Sequence, residues 1–290
     1  MGRLVSRGDF HTHSTHSDGL RSPAELVDLA ASRGVHVLAL TDHDTLDGLA
    51  EAEAAAARHP GFTLVPGVEL SCDVPGTEVH ILGYFIDRER RELREQLDEF
   101  RRGRIDRARR IIEALDRLGA PIEWSRVQEL AGEASIGRPH IAQALLEAGH
   151  IESFNEAFDR FIGRNGAAYA ERPKLAPAEA IAMIRDAGGL AVFAHPSFTD
   201  DYPRVAGELA AAGVFGLEAY YKGYEPELVG ELAALAERLG LFALGGSDYH
   251  GIDREDERLP GEIPLPDAVT DAFLEAARAR GCTVPDPAPG

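Results

Sequence analysis

Val35-His36-Val37-Leu38-Ala39-Leu40-Thr41-Asp42-His43-Asp44 decides the fold class. Its first six residues form an apolar run of strand length, rich in β-branched and aliphatic side chains, that stops at a polar tetrad. An alanine-rich helix is expected after it, over residues 45–58. Upstream, a strand over residues 8–13 leads to Ser22-Pro23-Ala24-Glu25, which combines a cap serine, a first-turn proline and a capping-box glutamate. The helix that starts there is expected to end near Arg33-Gly34. Downstream, strands are expected at 62–68 and 79–85. Strand and helix in alternation signify an α/β architecture.

From residue 88 to 171 the pattern is helical and strongly charged with no convincing strand, and reads as an inserted helical subdomain. The alternation then resumes. Helices are expected at 177–187, 203–212, 225–239 and 266–280, with strands at 190–194, 215–219 and 241–244. The division that follows is a discontinuous barrel over 1–87 and 172–283, the insert over 88–171, and a Pro/Gly-rich tail, 284–290, expected to fray.

The chain of 290 residues is 44% hydrophobic and 27% charged, ordinary values for a folded enzyme-sized body. Its formal net charge of -19 argues against a broad basic face for long nucleic acid. A short anionic substrate stays compatible, because bound divalent cations offset clustered carboxylates. No stretch has the apolar length to cross a bilayer and the opening residues lack a signal-like apolar region, so a cytoplasmic location is expected. Cys72 and Cys282 match neither a disulfide framework nor a cysteine zinc motif.

The candidate ligands fall at the ends of expected strands: His11 and His13 close the first, His43 follows the second, Glu69 the third, His195 follows 190–194, and Asp248 with His250 follows 241–244. In a parallel barrel those ends converge on one face. Positions two apart on a strand point the same way, so His11/His13 and Asp248/His250 are ready-made pairs. Any one of these histidines alone reads more simply as a hydrogen-bonded core or surface residue. Their shared placement is what that simpler reading does not supply. Imidazoles with carboxylates suit Zn, Mn or Fe, and more than four ligands imply more than one ion. Two or more ions neutralise phosphoryl oxygens and activate a water, the usual arrangement for in-line attack on a phosphate ester. His36, His59 and His150 read instead as structural or exposed.

Within the insert, Ser135 to His140 reads as a cap leading into a helix whose free N–H groups favour an anion, with Arg138 as a forked contact to a second phosphate or, equally, a surface arginine. The arginines between 88 and 110 alternate with acids and read mostly as a solvated helix face, with Arg104 the exception. Tyr220, Tyr221 and Lys222 follow a strand and either line the pocket or simply pack.

The motifs His11-Thr12-His13-Ser14 with Ser17-Asp18-Gly19, Thr41-Asp42-His43-Asp44-Thr45, Pro66-Gly67-Val68-Glu69, His80, Ala194-His195-Pro196 and Gly246-Ser247-Asp248-Tyr249-His250 together resemble the PHP (polymerase and histidinol phosphatase) family. The resemblance implies a distorted (β/α)7 barrel of the TIM type, with two or three divalent ions at the C-terminal ends of the strands. Manganese is the preferred ion, with zinc or iron as alternatives. It assigns His11, His13, Glu69 and Asp248 to one ion, Asp18, His43 and His250 to a second, and Glu69 again with His80 and His195 to a third. On this ground Asp18 is preferred to its neighbour His16. Asp248, His195 and His250 are the expected catalytic groups, the histidines assisting proton transfer.

The helical insert and the segments Gly103-Arg104, Ser135 to His140, Phe161 to Gly166 and Glu171-Arg172-Pro173 resemble the subgroup linked to tryptophan operons. That subgroup implies removal of the 3'-phosphate from nucleoside 3',5'-bisphosphates, such as pAp to AMP, and trimming of short RNA from its 5' end. Ser135, Arg138, His140, Arg104, Asn165 and Lys222 are the substrate-binding candidates. The alternatives are histidinol phosphate or another small phosphomonoester and, from another class, a metal-binding regulatory module without turnover.

Overall fold

The computed structural model describes residues 5–74, 77–132, 135–171, 175–252 and 257–289. Arg172 and Pro173, with the expected domain boundary at 172, lie outside them. Seven strands form one sheet in chain order: β1 (Gly8–Asp9), β2 (Val37–Leu40), β3 (Thr63–Val74), β4 (Thr77–Tyr84), β5 (Leu190–Phe193), β6 (Gly216–Tyr221) and β7 (Phe242–Gly246). The Phe10 N–H donates to Gly245 O at 3.3 Å and Thr12 bridges Tyr249, so the chain after β1 returns beside β7 and nearly closes a barrel.

Helices α1 (Pro23–Ser32), α2 (Leu49–Ala56), α7 (Pro177–Asp186), α8 (Tyr202–Ala211), α9 (Pro226–Leu239) and α10 (Asp267–Ala279) belong to the barrel. The sequence signal for α1 is realised atom by atom: Ser22 accepts from the Glu25 N–H while Glu25 reaches back to the Ser22 N–H. α2 starts four residues later than expected, because Thr45 Oγ1 accepts from the Asp47 N–H and holds a turn there. Inside the barrel Phe10, Tyr84, Val192 and Leu244 meet Phe273 of α10, with the Phe10 and Phe273 rings edge to face at 5.0 Å. Burial of each such side chain stabilises the fold by about 1.5–3 kcal/mol.

β4 departs from the expected parallel pattern. It pairs antiparallel with both β3 and β5, while the other strand pairs are parallel. The cause is the short connection from Val74 to Thr77, too short for the crossover a parallel strand requires. β3 is correspondingly longer than expected, since β4 supplies it with partners as far as Val74.

Between β4 and β5 the chain forms α3 (Arg91–Arg117), α4 (Trp124–Ala131), α5 (Arg138–Glu147), α6 (Phe154–Ala157) and a π-helical turn over Phe158–Ile162. The first half of α3 packs Leu93 and Leu97 on the barrel. Its second half joins a separate apolar cluster drawn from residues 108–168. The tail expected to fray is instead tied to the loop before β3, with the Gly61 N–H on Ala288 O and the Ala288 N–H on Phe62 O, both at 2.9 Å.

Candidate metal centre

One carboxylate organises the site. Glu69 Oε2 lies 3.2 Å from His11 Nε2, 3.3 Å from His13 Nε2 and 3.1 Å from His43 Nδ1, while its Oε1 lies 2.7 Å from His80 Nδ1 and 3.2 Å from His195 Nε2. A second carboxylate, Asp248, brings Oδ1 to 3.0 Å from His13 Nε2 and 3.3 Å from His11 Nε2. Asp18 completes the cluster, 3.3 Å from His250 Nε2 and 3.7 Å from His43 Nε2. All nine ligand candidates thus meet around one point. His16 is not among them; its carbonyl accepts from the Ser135 N–H.

The strand-end rule needs one correction. Glu69 sits within β3 rather than after it, and His80 lies on β4 opposite Ser71. Because β4 runs antiparallel, its early residues arrive at the face where the parallel strands end. Two ligands also sit in left-handed backbone, His195 at φ 30° and Asp248 at φ 49°, as does Asp44 at φ 52°. Non-glycine residues rarely adopt such angles, and they gather where a site over-determines them.

The donor set fits metal ions. His13 Nε2, Asp18 Oδ1 and His43 Nδ1 are buried and make no hydrogen bond, although each lies within 3.3 Å of another ligand candidate, Asp248, His250 and Glu69 respectively. Buried polar atoms seldom lack partners, and these three point into the cluster. Ligand atoms gather in three sets within ion-coordinating range of one another: His13, Asp18, His43 and His250; His11, His13 and Glu69; His43, Glu69 and His80.

Electrostatics agree with the geometry. Burial would raise the Glu69 carboxyl, but His43, His80 and His11 hold it well below the usual carboxylate range. Asp248 is held low against its burial by Lys222, His11 and His250. Burial pulls His13 down, yet the carboxylates of Asp248 and Glu69 overcome it and raise it to about 10. His43 goes the other way, since burial outweighs Glu69 and Asp18 and lowers it to about 3.

Beside the cluster lies a cavity with barrel residues Asp18, His43, Ser71 and His80 on one wall and Arg104, Arg107, Gly137 and Arg138 from the insert on the other. Arg104 donates through Nε to Asp44 Oδ2 at 2.6 Å and through Nη2 to Ser71 Oγ at 3.0 Å. α5 begins at this wall: a Cβ added to Gly137, its N-cap, would lie 3.9 Å from Asp18 Oδ2. His140 closes the cap by accepting from the Gly137 N–H at 3.0 Å, and burial pushes the pKa of its ring down, which favours the accepting form.

A family model described as the PHP domain matches residues 9–229. The chain belongs to the PHP domain family. A 3',5'-nucleoside bisphosphate phosphatase of Chromobacterium violaceum is 35% identical to it, over 83% of this chain and 86% of the relative. A 5'-3' exoribonuclease of Haemophilus influenzae is 34% identical over 85% of this chain and 91% of its own length. A solved Chromobacterium violaceum structure, described as an amidohydrolase with bound sulfate and no metal, superposes with TM-score 0.86 at 32% identity, covering 95% of this chain and 97% of that one.

Several residues of this PHP site went unread in the sequence. Glu218, fully buried in β6, holds His11 Nδ1 at 3.1 and 3.2 Å and accepts from the His195 N–H at 2.7 Å. An acid inside the apolar strand Gly216-Leu217-Glu218-Ala219 was the available signal. Arg107, read as part of a solvated face, is buried and lines the cavity; its spacing from Arg104 and Ile111 placed it on the inner stripe of α3. Tyr221 donates to Asp248 Oδ2 at 2.6 Å, and Lys222 reaches Asp248 O at 2.8 Å, so both sit at the site. Glu257 accepts from the His250 N–H at 2.8 Å and from the Gly251 N–H at 2.6 Å. Ser135 is buried with its hydroxyl unpartnered, one residue short of the cavity wall. Asn165 is exposed in the loop after the π-helical turn and lies outside the cavity lining.

Proposed function

We propose that this PHP protein is a metal-dependent phosphoesterase that removes the 3'-phosphate from nucleoside 3',5'-bisphosphates. The observation that carries the reading is the two-walled cavity, with the histidine and carboxylate cluster on one side and arginines with a helix N-terminus on the other. A monoester needs only the first wall. A substrate with two phosphates uses both, because free N–H groups at a helix start and a forked guanidinium both favour an anion.

His11, His13, Glu69 and Asp248 would hold one ion, Asp18, His43 and His250 a second, and Glu69 with His80 and His195 a third, with manganese the preferred species. Divalent ions in that place polarise phosphoryl oxygens and lower the pKa of a water. The chain's own groups do the remaining work. Asp44 and Ser71 fix the Arg104 guanidinium so that its charge faces the cavity without reorganisation. Lys222 and Tyr221 orient Asp248. His195 and His250, both partly open, are taken up as ligands on this assignment, and His250 Nδ1 is tied to Asp248 O at 2.9 Å, so the departing 3'-oxygen would take its proton from water. No helix of the described residues is long and apolar enough to cross a membrane.

Short RNA is a second substrate on this reading, favoured by the likeness to an exoribonuclease across most of both chains. The test is a panel of nucleoside 3',5'-bisphosphate, nucleoside 3'-monophosphate and histidinol phosphate, each with Mn, Zn, Fe or Mg. The bisphosphate should be preferred, and Arg104→Ala should erase about 10- to 100-fold of that preference, the worth of a charge-assisted contact. Equal kcat/KM for all three esters with the unaltered protein would sink the assignment.

A further inference from the structure

Phe198 is 68% exposed, more than any other large apolar side chain among the described residues. It is not an isolated surface ring. Its centroid lies 5.5 Å from that of His195 and 5.8 Å from that of Tyr221, the latter edge to face. Both neighbours belong to the metal centre, His195 through Glu69 and Tyr221 through Asp248.

The turn that carries Phe198 is held at several points. The His195 N–H donates to Glu218 Oε2 at 2.7 Å, the Ser197 N–H to Tyr224 Oη at 3.2 Å, and the Phe198 N–H to His195 O at 3.1 Å. An apolar ring thus stands open at the rim of a polar site, on a turn whose backbone is held. Leaving it open forfeits the stabilisation that burial would bring.

Phe198 and His195 are absent from the lining of the arginine-walled cavity, which reaches the cluster on the side of Asp18, His43 and His80. On the reading given under Proposed function, on which this inference rests, a nucleoside bisphosphate spans that cavity and ends at the phosphate under attack. An oligonucleotide does not end there. Its next nucleotide leaves the cluster on a side this cavity does not occupy, and His195, Tyr221 and Phe198 stand on one such side.

We propose that Phe198 is a stacking platform for the base on the 3' side of the scissile phosphate of a single-stranded oligonucleotide. The bond chemistry is the same for both substrates. Water oxygen bonds to phosphorus, the bond from phosphorus to the 3'-oxygen breaks, and that oxygen takes a proton to become a 3'-hydroxyl. With a bisphosphate the other product is inorganic phosphate. With an oligonucleotide it is a shortened strand bearing a 5'-phosphate, its first base on Phe198. Every base has a π-face, so the platform serves without regard to sequence.

The experiment compares wild type, Phe198→Ala and Phe198→Trp, all manganese-loaded, on a 5'-phosphorylated trinucleotide and on a nucleoside 3',5'-bisphosphate. Phe198→Ala should lower the trinucleotide-to-bisphosphate ratio of kcat/KM by about 5- to 100-fold, the span of one base on one aromatic ring. The loss should lie mainly in KM, and Phe198→Trp should restore the ratio. A ratio within twofold of wild type for the alanine variant overturns the proposal, as does a wild type that cleaves the bisphosphate and leaves the trinucleotide intact. Wild-type protein inactive on the bisphosphate would instead overturn the underlying reading of the site.

Discussion

Glu218 has both carboxylate oxygens on His11 Nδ1 and one of them on the His195 N–H, so it decides which nitrogen of His11 faces the cluster. A carboxylate behind a ligating imidazole fixes its tautomer and raises its basicity. Glu218→Gln keeps the volume but brings an amide N–H against one of those two donors. Metal content and affinity should fall about 10- to 100-fold with the circular dichroism spectrum unchanged, as titration of chelator-stripped protein would measure. Wild-type affinity in that variant would reduce Glu218 to a packing role. At this scale the ligands themselves were legible as histidines and acids beside apolar runs, although strand alternation does not pair them: β1 ends at Asp9 and β7 at Gly246, and Asp248 sits in left-handed backbone. Glu218 was not legible, since nothing beside it in sequence says that it faces His11, a residue just past β1 and far away along the chain.

Between elements, closure of the barrel depends on Gly246 at the end of β7. A Cβ there would lie 2.3 Å from His11 Cβ and 2.3 Å from His11 N, against backbone that cannot yield. Gly246→Ala should therefore destabilise the protein by about 1–3 kcal/mol in denaturant unfolding and displace His11 from the cluster. Gly207 in α8 is the control: a Cβ there meets nothing within 4 Å, and Gly207→Ala should stabilise by roughly 0.5–1 kcal/mol. Local chemistry located most elements well, as the Ser22/Glu25 box did for α1. It misjudged β4, whose direction follows from the length of a hairpin rather than from side chains. The same antiparallel return explains how His80, early in its strand, reaches Glu69.

For the whole molecule, a formal charge of -19 coexists with a cavity walled by arginines, so the field that an anion meets is set by placement and not by the sum. Without ions His13 retains a proton, being raised to about 10 although burial opposes it, whereas His43, lowered to about 3, is already neutral. Ligation requires the neutral ring, so loading ions at neutral pH expels the His13 proton and affinity strengthens as pH rises toward the His13 value. Manganese added to stripped protein should raise Tm, by more at pH 8 than at pH 6, in differential scanning calorimetry at fixed free manganese. An increment that shrank with rising pH would contradict a protonated His13. The sequence by itself determined the α/β class and a helical stretch between β4 and β5, because apolar periodicity is a local property. It also offered seven ligand candidates beside apolar runs; Asp18 and His80 entered only with the family resemblance. Only the tertiary structure decided that Glu69 joins five histidines, that Glu218 and Arg107 face the site, and that Phe198 stands open at its rim. Those facts are distances and burials between residues far apart in the chain, and they come into being when the barrel closes.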